Sequence, residues 1–166
     1  MATDSPHAQT ELVRRTTARG AHLFDLCAQC RRCCVVDPGE PPLEVSLTRA
    51  ETKRFGSLCI ETRCTHLGPQ GCRKGDDKPF SCALYPLSFD PHERRFSFDS
   101  ECPLLPTYVA QLSDARSEAS AHLAAMTREI VRLERDDPGF LLRNREIDLE
   151  YFDLTELPSE TAPGPL

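Results

Sequence analysis

Four cysteines stand within eight residues of this chain, at Cys27, Cys30, Cys33 and Cys34. Two residues between successive cysteines let one short turn direct the sulfurs toward a common point, which is the spacing of metal ligands. The first three cysteines also match the loop by which a ferredoxin holds three corners of a 4Fe–4S cluster. Adjacent residues of an extended chain point in opposite directions, so Cys34 is expected to face a second metal, a bridge or the core. The run therefore predicts a metal centre.

The total of nine cysteines in 166 residues is high, yet below the density of a small disulfide scaffold. An odd number would also leave one thiol outside any scheme of disulfides alone. The N-terminus is polar and has no apolar segment of the kind found in signal peptides. No stretch approaches the roughly 20 apolar residues of a membrane span. These features predict a cytoplasmic protein without a membrane partner, in which cysteines stay reduced and bind metal or react.

The net charge of −6 argues against nucleic acid as the main partner. Residues 1–103 carry as many basic as acidic side chains, so the whole negative charge falls in 104–166. Several basic residues lie close to cysteines in the sequence, namely Arg31, Arg32, Arg63, Arg73, Lys74 and Lys78. They are expected to favour thiolates and to offset the charge of a thiolate-ligated centre, although ordinary surface solubility would also explain them.

The remaining cysteines are spread over a segment that resembles a loop. Residues 57–86 contain several glycines and prolines together with Cys59, Cys64, Cys72 and Cys82, and Cys102 follows later. A long irregular loop inside a small domain needs something other than an apolar core to order it, and a metal centre can do so. Eight cysteines would fill two sites of four ligands and leave Cys59 spare. The predicted metal and cofactor ligands are Cys27, Cys30, Cys33, Cys34, Cys64, Cys72, Cys82 and Cys102.

The sequence leaves three compositions of this centre open, which are two iron–sulfur clusters, one cluster with one zinc, and one cluster with structural thiols. Thiolates suit both metals. The spacing of Cys27, Cys30 and Cys33 favours iron–sulfur, and zinc sites usually contain a second C-x-x-C pair that this chain lacks. His66, beside Cys64, is expected to support the ligands rather than to replace one. His122 is expected at the surface.

The predicted fold class is α+β, a small irregular cysteine-rich domain with a short β-hairpin and flanking helices. A helix is expected over 10–26. Residues 1–21 are expected to be a helical lead-in, and residues 22–106 are expected to form the metal-bound domain. A stripe of apolar residues at helical spacing predicts one amphipathic helix over 107–137. The alternation of Ile147, Leu149 and Tyr151 predicts an edge strand, followed by a disordered tail, within 138–166.

Two local signals inside the domain are stronger. Leu87–Phe89 and Phe96–Phe98 flank a polar turn and predict the hairpin. Thr48 and Glu51 form a capping-box sequence, which predicts a short helix that Gly56 ends.

Taken together, the cysteine run and three later motifs resemble the CxxCxxCC family of zinc- or iron-chelating proteins, also called YkgJ-like cysteine-cluster proteins. The motifs are Cys64-Thr65-His66-Leu67, Gly71-Cys72 and Pro79-Phe80-Ser81-Cys82-Ala83-Leu84-Tyr85-Pro86. The resemblance covers residues 22–103 and implies a metal-chelating cysteine domain. Lys78 stands where the family usually has arginine, so a planar two-donor fork is replaced by a point charge.

These features predict an iron–sulfur protein with an electron-transfer role or an accessory role toward a redox or enzyme partner protein. One alternative is an iron-dependent enzyme with an open coordination position, and another is a protein whose structure zinc stabilises. Signatures of serine hydrolases, zinc proteases and P-loop proteins are absent from the sequence, and no catalytic residue is predicted.

Overall fold

The computed structural model describes residues 22–158, in which short helices alternate with small antiparallel sheets. The α-helices are α1 Cys27–Cys30, α2 Arg49–Phe55, α3 Phe80–Leu84, α4 Leu105–Gln111, α5 Glu118–Asp136 and α6 Pro138–Tyr151. The strands are β1 Leu43–Glu44, β2 Cys59–Ile60, β3 Leu67–Gly68, β4 Gly71–Cys72, β5 Leu87–Asp90, β6 Arg95–Asp99 and β7 Leu154–Glu156. Short 3-10 turns cover Leu23–Leu26, Arg32–Cys34 and Gly75–Asp77. The α+β class is therefore confirmed.

The predicted hairpin is present and becomes the centre of a three-stranded sheet. Strand β5 pairs with β6 in a register that places Leu87 opposite Phe98, and β6 pairs in turn with β7. The Phe89 and Phe96 rings lie 5.2 Å apart on one face, while Phe98 contacts the Tyr108 ring of α4 at 5.0 Å. The apolar side chains Leu87, Phe89, Phe96 and Phe98 alternate along the paired strands, so they lie on one face of the hairpin, where they are buried in the larger core.

The capping box at the start of α2 is also confirmed. The Thr48 hydroxyl accepts a hydrogen bond from the Glu51 N–H, and the Glu51 carboxylate accepts one from the Thr48 N–H. The other Glu51 oxygen accepts a hydrogen bond at 2.7 Å from the N–H of Phe80, and Phe80 is the first residue of α3. One side chain thus caps α2 and fixes α3 beside it.

Two hydrophobic cores divide the described chain. The larger core draws its buried side chains from the sheet, from α3 to α6 and from the turn before α1. The smaller core surrounds β1 and β2 and consists of Val36, Leu43, Val45, Leu47 and Ile60. Both cores lie next to cysteines, because Cys102 belongs to the larger core with Cys30 packed on it, whereas Cys64 and Cys82 pack on the smaller core.

The C-terminal part differs from prediction in two places. The helix predicted over 107–137 is broken after α4, because Ser117 caps a new helix by accepting from the Ser120 N–H, and the Gln111 side chain accepts from the Ala119 N–H. The edge strand predicted at 147–151 is wrong, since these residues form the end of α6. The edge strand comes later, as β7.

The cause of this second difference is the corner between α5 and α6. Asp137 is buried, accepts from the Phe140 N–H at 3.3 Å, and is followed by Pro138 at the first helical position. An aspartate cap followed by proline starts a helix. The predicted lead-in over 1–21 and the tail beyond residue 158 lie outside the described residues. Among the residues that are described, no helix is both long and apolar enough to cross a membrane.

Candidate metal centre

The cysteine run folds as a tight double turn. Helix α1 places Cys27 and Cys30 one turn apart, and Arg31 then adopts a left-handed conformation with φ 57°. Its N–H donates to the Cys27 carbonyl, and its guanidinium donates to the Pro69 carbonyl at 2.7 Å. Left-handed backbone is uncommon for a residue with a side chain, and these bonds stabilise it here. The reversal at Arg31 leads directly into the 3-10 turn that carries Cys33 and Cys34.

The end of the run pairs with the middle of the chain. The Cys64 N–H donates to the Cys34 carbonyl at 2.8 Å, and the Val36 N–H donates to the Thr62 carbonyl at 2.9 Å. Between these bonds Val35 and Arg63 form an isolated antiparallel bridge. Main-chain pairing therefore brings Cys34 and Cys64, thirty residues apart in the sequence, next to each other.

Three further elements bring the later cysteines to the same region. Cys72 lies on β4, opposite Leu67 of β3, and β4 contacts α1. Cys82 lies in α3, where the neighbouring Ser81 hydroxyl donates to the Ser46 carbonyl at 2.8 Å. Cys102 follows β6, and its N–H donates to the Asp99 carbonyl at 3.0 Å.

Two cavities sort the cysteines into two groups. The main cavity, about 70 Å³, is bordered by Cys34, Cys64, Cys72 and Cys82. The small cavity, about 20 Å³, is bordered by Cys27, Cys30 and Cys102. Cys33 borders both cavities, as does the ring of Tyr85. We call Cys27, Cys30, Cys33 and Cys102 the first set, and Cys34, Cys64, Cys72 and Cys82 the second set.

The adjacent pair Cys33 and Cys34 has the most perturbed thiols. Their sulfur atoms lie 3.9 Å apart. The hydrogen bond that Cys33 gives to Cys34 raises the pKa of Cys33 well above its usual value and lowers the pKa of Cys34 to about 7. Cys34 is thus partly ionised at neutral pH without any metal, which favours it as a first ligand.

Burial has the opposite effect on two cysteines from distant segments. It raises the pKa of Cys82 and the pKa of Cys102 to about 12 each. The positive charge of Lys78 opposes this rise at Cys82 and also favours the ionised forms of Cys33 and Cys34. One lysine therefore acts electrostatically on both sets, as the sequence suggested for the basic residues.

As the side chains stand, no three His, Cys, Asp or Glu residues within 22–158 are close enough together to hold a metal ion. The cysteines border common cavities without their sulfur atoms converging. The donor set nevertheless fits a thiolate-bound metal, because each cavity is lined by four or more cysteines from converging turns.

Residues outside the two sets have separate positions. Cys59 is exposed on β2 and borders neither cavity. His66 borders the main cavity, and burial together with Lys74 and Arg73 lowers the pKa of its ring, which favours the neutral form.

His122 is not a surface residue as predicted. The Ala83 carbonyl can only accept, so the His122 Nε2–H donates to it at 2.9 Å, and Nδ1 accepts from the Tyr108 hydroxyl at 2.9 Å. The ring is thereby fixed in its neutral form, and burial lowers its pKa. Through Ala83, His122 holds the helix that carries Cys82.

No sequence motif indicated the two polar side chains of α6 that border the main cavity together with the second set. Asn144 and Asp148 of α6 border the main cavity, and the Asn144 amide donates to Asp148 Oδ2 at 3.0 Å. Burial raises the pKa of Asp148 to about 7. The spacing of four residues would have placed both side chains on one helical face, but 147–151 had been predicted as a strand.

Tyr85 borders both cavities. Its hydroxyl donates to Asp99 Oδ2 at 2.7 Å, and its ring packs on Phe152 at 5.2 Å. Burial raises the pKa of Tyr85 far above its usual value, so the phenol stays neutral and remains a donor.

Comparison with protein-family models, with curated proteins and with solved structures finds no match for this chain. The resemblance to the CxxCxxCC family therefore stays a prediction that depends on the motifs quoted above.

Proposed function

We propose that the chain binds two metal centres through its eight cysteines and uses them for electron transfer, either directly or as an accessory to a partner protein. The first set would hold one centre and the second set the other. The single observation that carries this proposal is the pair of cavities, each bordered by its own group of cysteines.

The positions of the two cores agree with this division. The first set lies on the larger core through Cys30 and Cys102, and the second set lies on the smaller core through Cys64 and Cys82. Cys33 and Cys34 are adjacent in a 3-10 turn with their sulfur atoms 3.9 Å apart, so the opposite directions expected for an extended chain do not occur. Their assignment to different centres depends on the small cavity, which Cys33 borders and Cys34 does not.

Iron–sulfur is the metal form we favour. Cys27, Cys30 and Cys33 have ferredoxin spacing, and Cys102 followed by Pro103 resembles the fourth ligand of that pattern. Such a centre supplies one-electron transfer. The chain contributes the thiolates, the charge of Lys78 that opposes their negative charge, and apolar walls that exclude water.

The experiment is metal and acid-labile sulfide analysis of protein purified without oxygen, with Cys→Ser variants of each set. The unmodified protein is expected to contain about eight irons and eight sulfides and to absorb near 400 nm. Cys102→Ser and Cys72→Ser should each lose about half of both, with different spectra remaining. Cys59→Ser is the matched control and should lose nothing, because Cys59 borders neither cavity.

Other results would contradict the proposal in defined ways. Equal loss of all metal in both variants would mean one shared centre. Full occupancy by zinc with no iron, after growth in iron-rich medium, would select the structural alternative.

A second candidate function has its own observation. The main cavity is larger than the small one by about 50 Å³, and a water-sized group needs only about 10–15 Å³. Polar side chains, among them His66, Asn144 and Asp148, border it together with the second set. This room favours an iron-dependent enzyme with an open position at the second set. Iron without sulfide in the purified protein would select that function.

A further inference from the structure

We infer that Cys33 and Cys34 form a redox-active dithiol, which a low-molecular-weight disulfide such as oxidised glutathione converts into a disulfide between the two adjacent residues. The reaction needs no metal, so this modification site stands apart from the proposed function. Its effect on metal binding, by contrast, rests on that function.

The first observation is the contact between the two sulfur atoms, which lie 3.9 Å apart. Neighbouring side chains point in opposite directions in an extended chain, but these two residues belong to the 3-10 turn Arg32–Cys34. With three residues per turn, successive side chains of such a turn lie roughly 120° apart and can reach each other by bond rotation. The local fold therefore brings together two thiols that an extended chain would separate.

The second observation is that main-chain hydrogen bonds hold this turn at both ends. The Cys34 N–H donates to the Arg31 carbonyl at 3.0 Å, and the Val35 N–H donates to the Arg32 carbonyl at 3.2 Å. The Cys34 carbonyl in turn accepts from the Cys64 N–H at 2.8 Å. A turn held in this way keeps the two sulfur atoms close, so each thiol meets the other at a high effective concentration.

The third observation is access for a small oxidant. Cys33 and Cys34 are both half-buried, and both border the main cavity. This cavity, about 70 Å³, is several times larger than the roughly 10–15 Å³ that a water-sized group needs. One sulfur atom of a small disulfide therefore has room beside the two thiols.

Two exchange steps balance the reaction. The thiolate of one cysteine attacks a sulfur of oxidised glutathione, which breaks the glutathione disulfide, forms a mixed disulfide and releases one glutathione. The thiolate of the other cysteine then attacks the cysteine sulfur of the mixed disulfide and releases the second glutathione. The two cysteines lose two electrons and two protons, and one molecule of oxidised glutathione becomes two molecules of the reduced form.

The resulting disulfide is expected to be easily reduced. Adjacent Cα atoms lie about 3.8 Å apart across a trans peptide, whereas disulfides usually join Cα atoms about 4.4–6.8 Å apart. A disulfide between neighbours is therefore strained, and strained disulfides are labile ones that suit regulation better than structure. An excess of reduced glutathione should return the pair to two thiols.

The pair also connects the two proposed metal sites. Cys33 belongs to the first set and borders both cavities, while Cys34 belongs to the second set. A disulfide between them would remove one thiolate from each set, because the thiolate is the form that binds metal. Oxidation at one place would thus weaken metal binding at both sets, and reduction would restore it.

The test is mass spectrometry of the full chain, freed of metal by chelation, reduced, and then incubated with oxidised glutathione. Trypsin cleaves after arginine and leaves Cys33 and Cys34 in one peptide, residues 33–49, which contains no other cysteine. After alkylation of the remaining thiols, we expect this peptide to be lighter by two hydrogen atoms. It should be linked to no other peptide and become alkylated only after a reductant is added.

Cys59 serves as an internal control in the same digest. It is exposed, borders neither cavity and is the one cysteine in the tryptic peptide of residues 55–63. This peptide should keep glutathione, because no neighbouring thiol displaces it. Cys33→Ser and Cys34→Ser should each make residues 33–49 keep glutathione as well. Incubation of the unmodified chain in urea, where the turn is lost, should give the vicinal disulfide only as a minor product.

Contrary results at this stage would overturn the inference and leave the proposed function intact. They are a peptide 33–49 that is cross-linked to another cysteine peptide, that keeps glutathione, or that stays reduced. An equal yield of the disulfide in urea would overturn it too, because adjacency in the sequence and not the fold would then bring the thiols together.

Metal binding tests the effect on the two sets. Zinc alone is the probe, since thiolate sites accept it and added sulfide would reduce the disulfide. The oxidised protein should bind zinc at least about tenfold more weakly than the reduced protein, because even the loss of a residue that supports a ligand costs that much. Unchanged zinc affinity would overturn the role of Cys33 and Cys34 as ligands. A reduced protein that binds no zinc would overturn the proposed function, while the disulfide in peptide 33–49 would still support the dithiol.

Discussion

At the scale of single residues, several polar side chains are buried and hydrogen-bonded, and Asp99 is one of them. Asp99 is 4% exposed and accepts a hydrogen bond from the hydroxyl of Tyr85, which borders both cavities. The Glu101 N–H donates to the other oxygen at 3.0 Å. A buried carboxylate has already lost its hydration. When one of its hydrogen-bond donors is removed, the fold is destabilised by more than the net stability that an ordinary hydrogen bond contributes.

We therefore predict that Tyr85→Phe lowers the free energy of unfolding by about 1–3 kcal/mol, since Asp99 keeps its burial and loses its donor. Urea unfolding in a fixed metal state measures this. Tyr151→Phe is the matched control, because its ring is half-buried beside Phe152 and, within residues 22–158, its hydroxyl makes no hydrogen bond to another element. An equal effect of both variants would mean that the hydrogen bond to Asp99 adds no stability beyond that of any half-buried tyrosine hydroxyl.

Asp148 allows a second prediction at this scale, in which stability depends on pH. Its pKa is about 7 in the folded chain and about 3.8 when unfolded. Between these values the folded state binds more protons, so the stability contributed by Asp148 is present at low pH and is lost as the pH rises toward 7.

Asp148→Asn should therefore be less stable than the unmodified protein near pH 4, or equal to it, and more stable near pH 8. The difference between the two proteins should change by about 2–4 kcal/mol across this interval. Urea unfolding at several pH values measures it, and the comparison removes contributions that both proteins share. A difference that stays constant with pH would show that Asp148 is ionised throughout.

At the scale of elements, the corner between α5 and α6 is the clearest case of a local contact with distant consequences. Asp137 caps α6 and also accepts a hydrogen bond at 2.8 Å from the N–H of Arg49. Arg49 is the first residue of α2. Asp137 thus connects the helices of the larger core to the helix beside the smaller core. Asp136, its neighbour, is exposed and pairs with Arg132 of the same helix.

This adjacency provides a matched pair of variants. Asp137→Ala should lower the free energy of unfolding by about 1–3 kcal/mol, because a helix cap and a bond to a second helix are lost together. Asp136→Ala should change it by less than about 0.5 kcal/mol, because an exposed ion pair contributes little. Thermal or urea unfolding distinguishes the two variants. Similar decreases in the free energy of unfolding would contradict the role of Asp137 as a cap that joins two helices.

Elements whose signals are local could be predicted from the sequence. The capping box at Thr48 and Glu51 and the hairpin at 87–98 depend on neighbouring residues, and both are confirmed. The alternation of Ile147, Leu149 and Tyr151 failed because it fits a helix as well. In α6, Ile147 and Tyr151 lie one turn apart against the smaller core, and Leu149 is 59% exposed. The stronger signal for this segment is Asp137 before Pro138, an aspartate cap followed by proline at the first helical position.

The candidate site shows the same limit. The eight cysteines are recognisable from spacing and number, yet their division into two sets is not. Cys102 joins Cys27 and Cys30 because the hairpin and α1 both pack on the larger core, and Cys64 joins Cys34 through main-chain pairing. Such contacts between distant segments leave no pattern in the sequence. Asn144 and Asp148 could be found only after their segment was known to be a helix.

At the scale of the whole molecule, the hairpin of residues 87–99 and the segment of residues 61–78 are ordered by different means. In the hairpin, residues 87–89 and 96–99 are buried, and the larger core extends from them to α6. Within residues 61–78 of the described chain, Leu67 is the one buried apolar side chain. The segment nevertheless carries Cys64 and Cys72 and follows a defined path. Too little apolar surface is buried there to order it, so a metal centre would contribute what the core lacks.

We therefore predict that metal removal lowers the local stability of residues 61–78 more than that of the hairpin. After chelation under reducing conditions, amide hydrogen exchange within residues 61–78 should accelerate by at least about tenfold, the factor that a loss of about 1.4 kcal/mol in local stability gives. Exchange in the hairpin should change little, because its protection comes from the larger core. Reloading with iron and sulfide should restore the slow exchange, which serves as the control for damage by the chelator. If residues 61–78 exchanged equally slowly with and without metal, hydrogen bonds such as that from Arg73 to the Thr65 carbonyl would be sufficient to order the segment. The cysteines would then be available for chemistry without any structural duty.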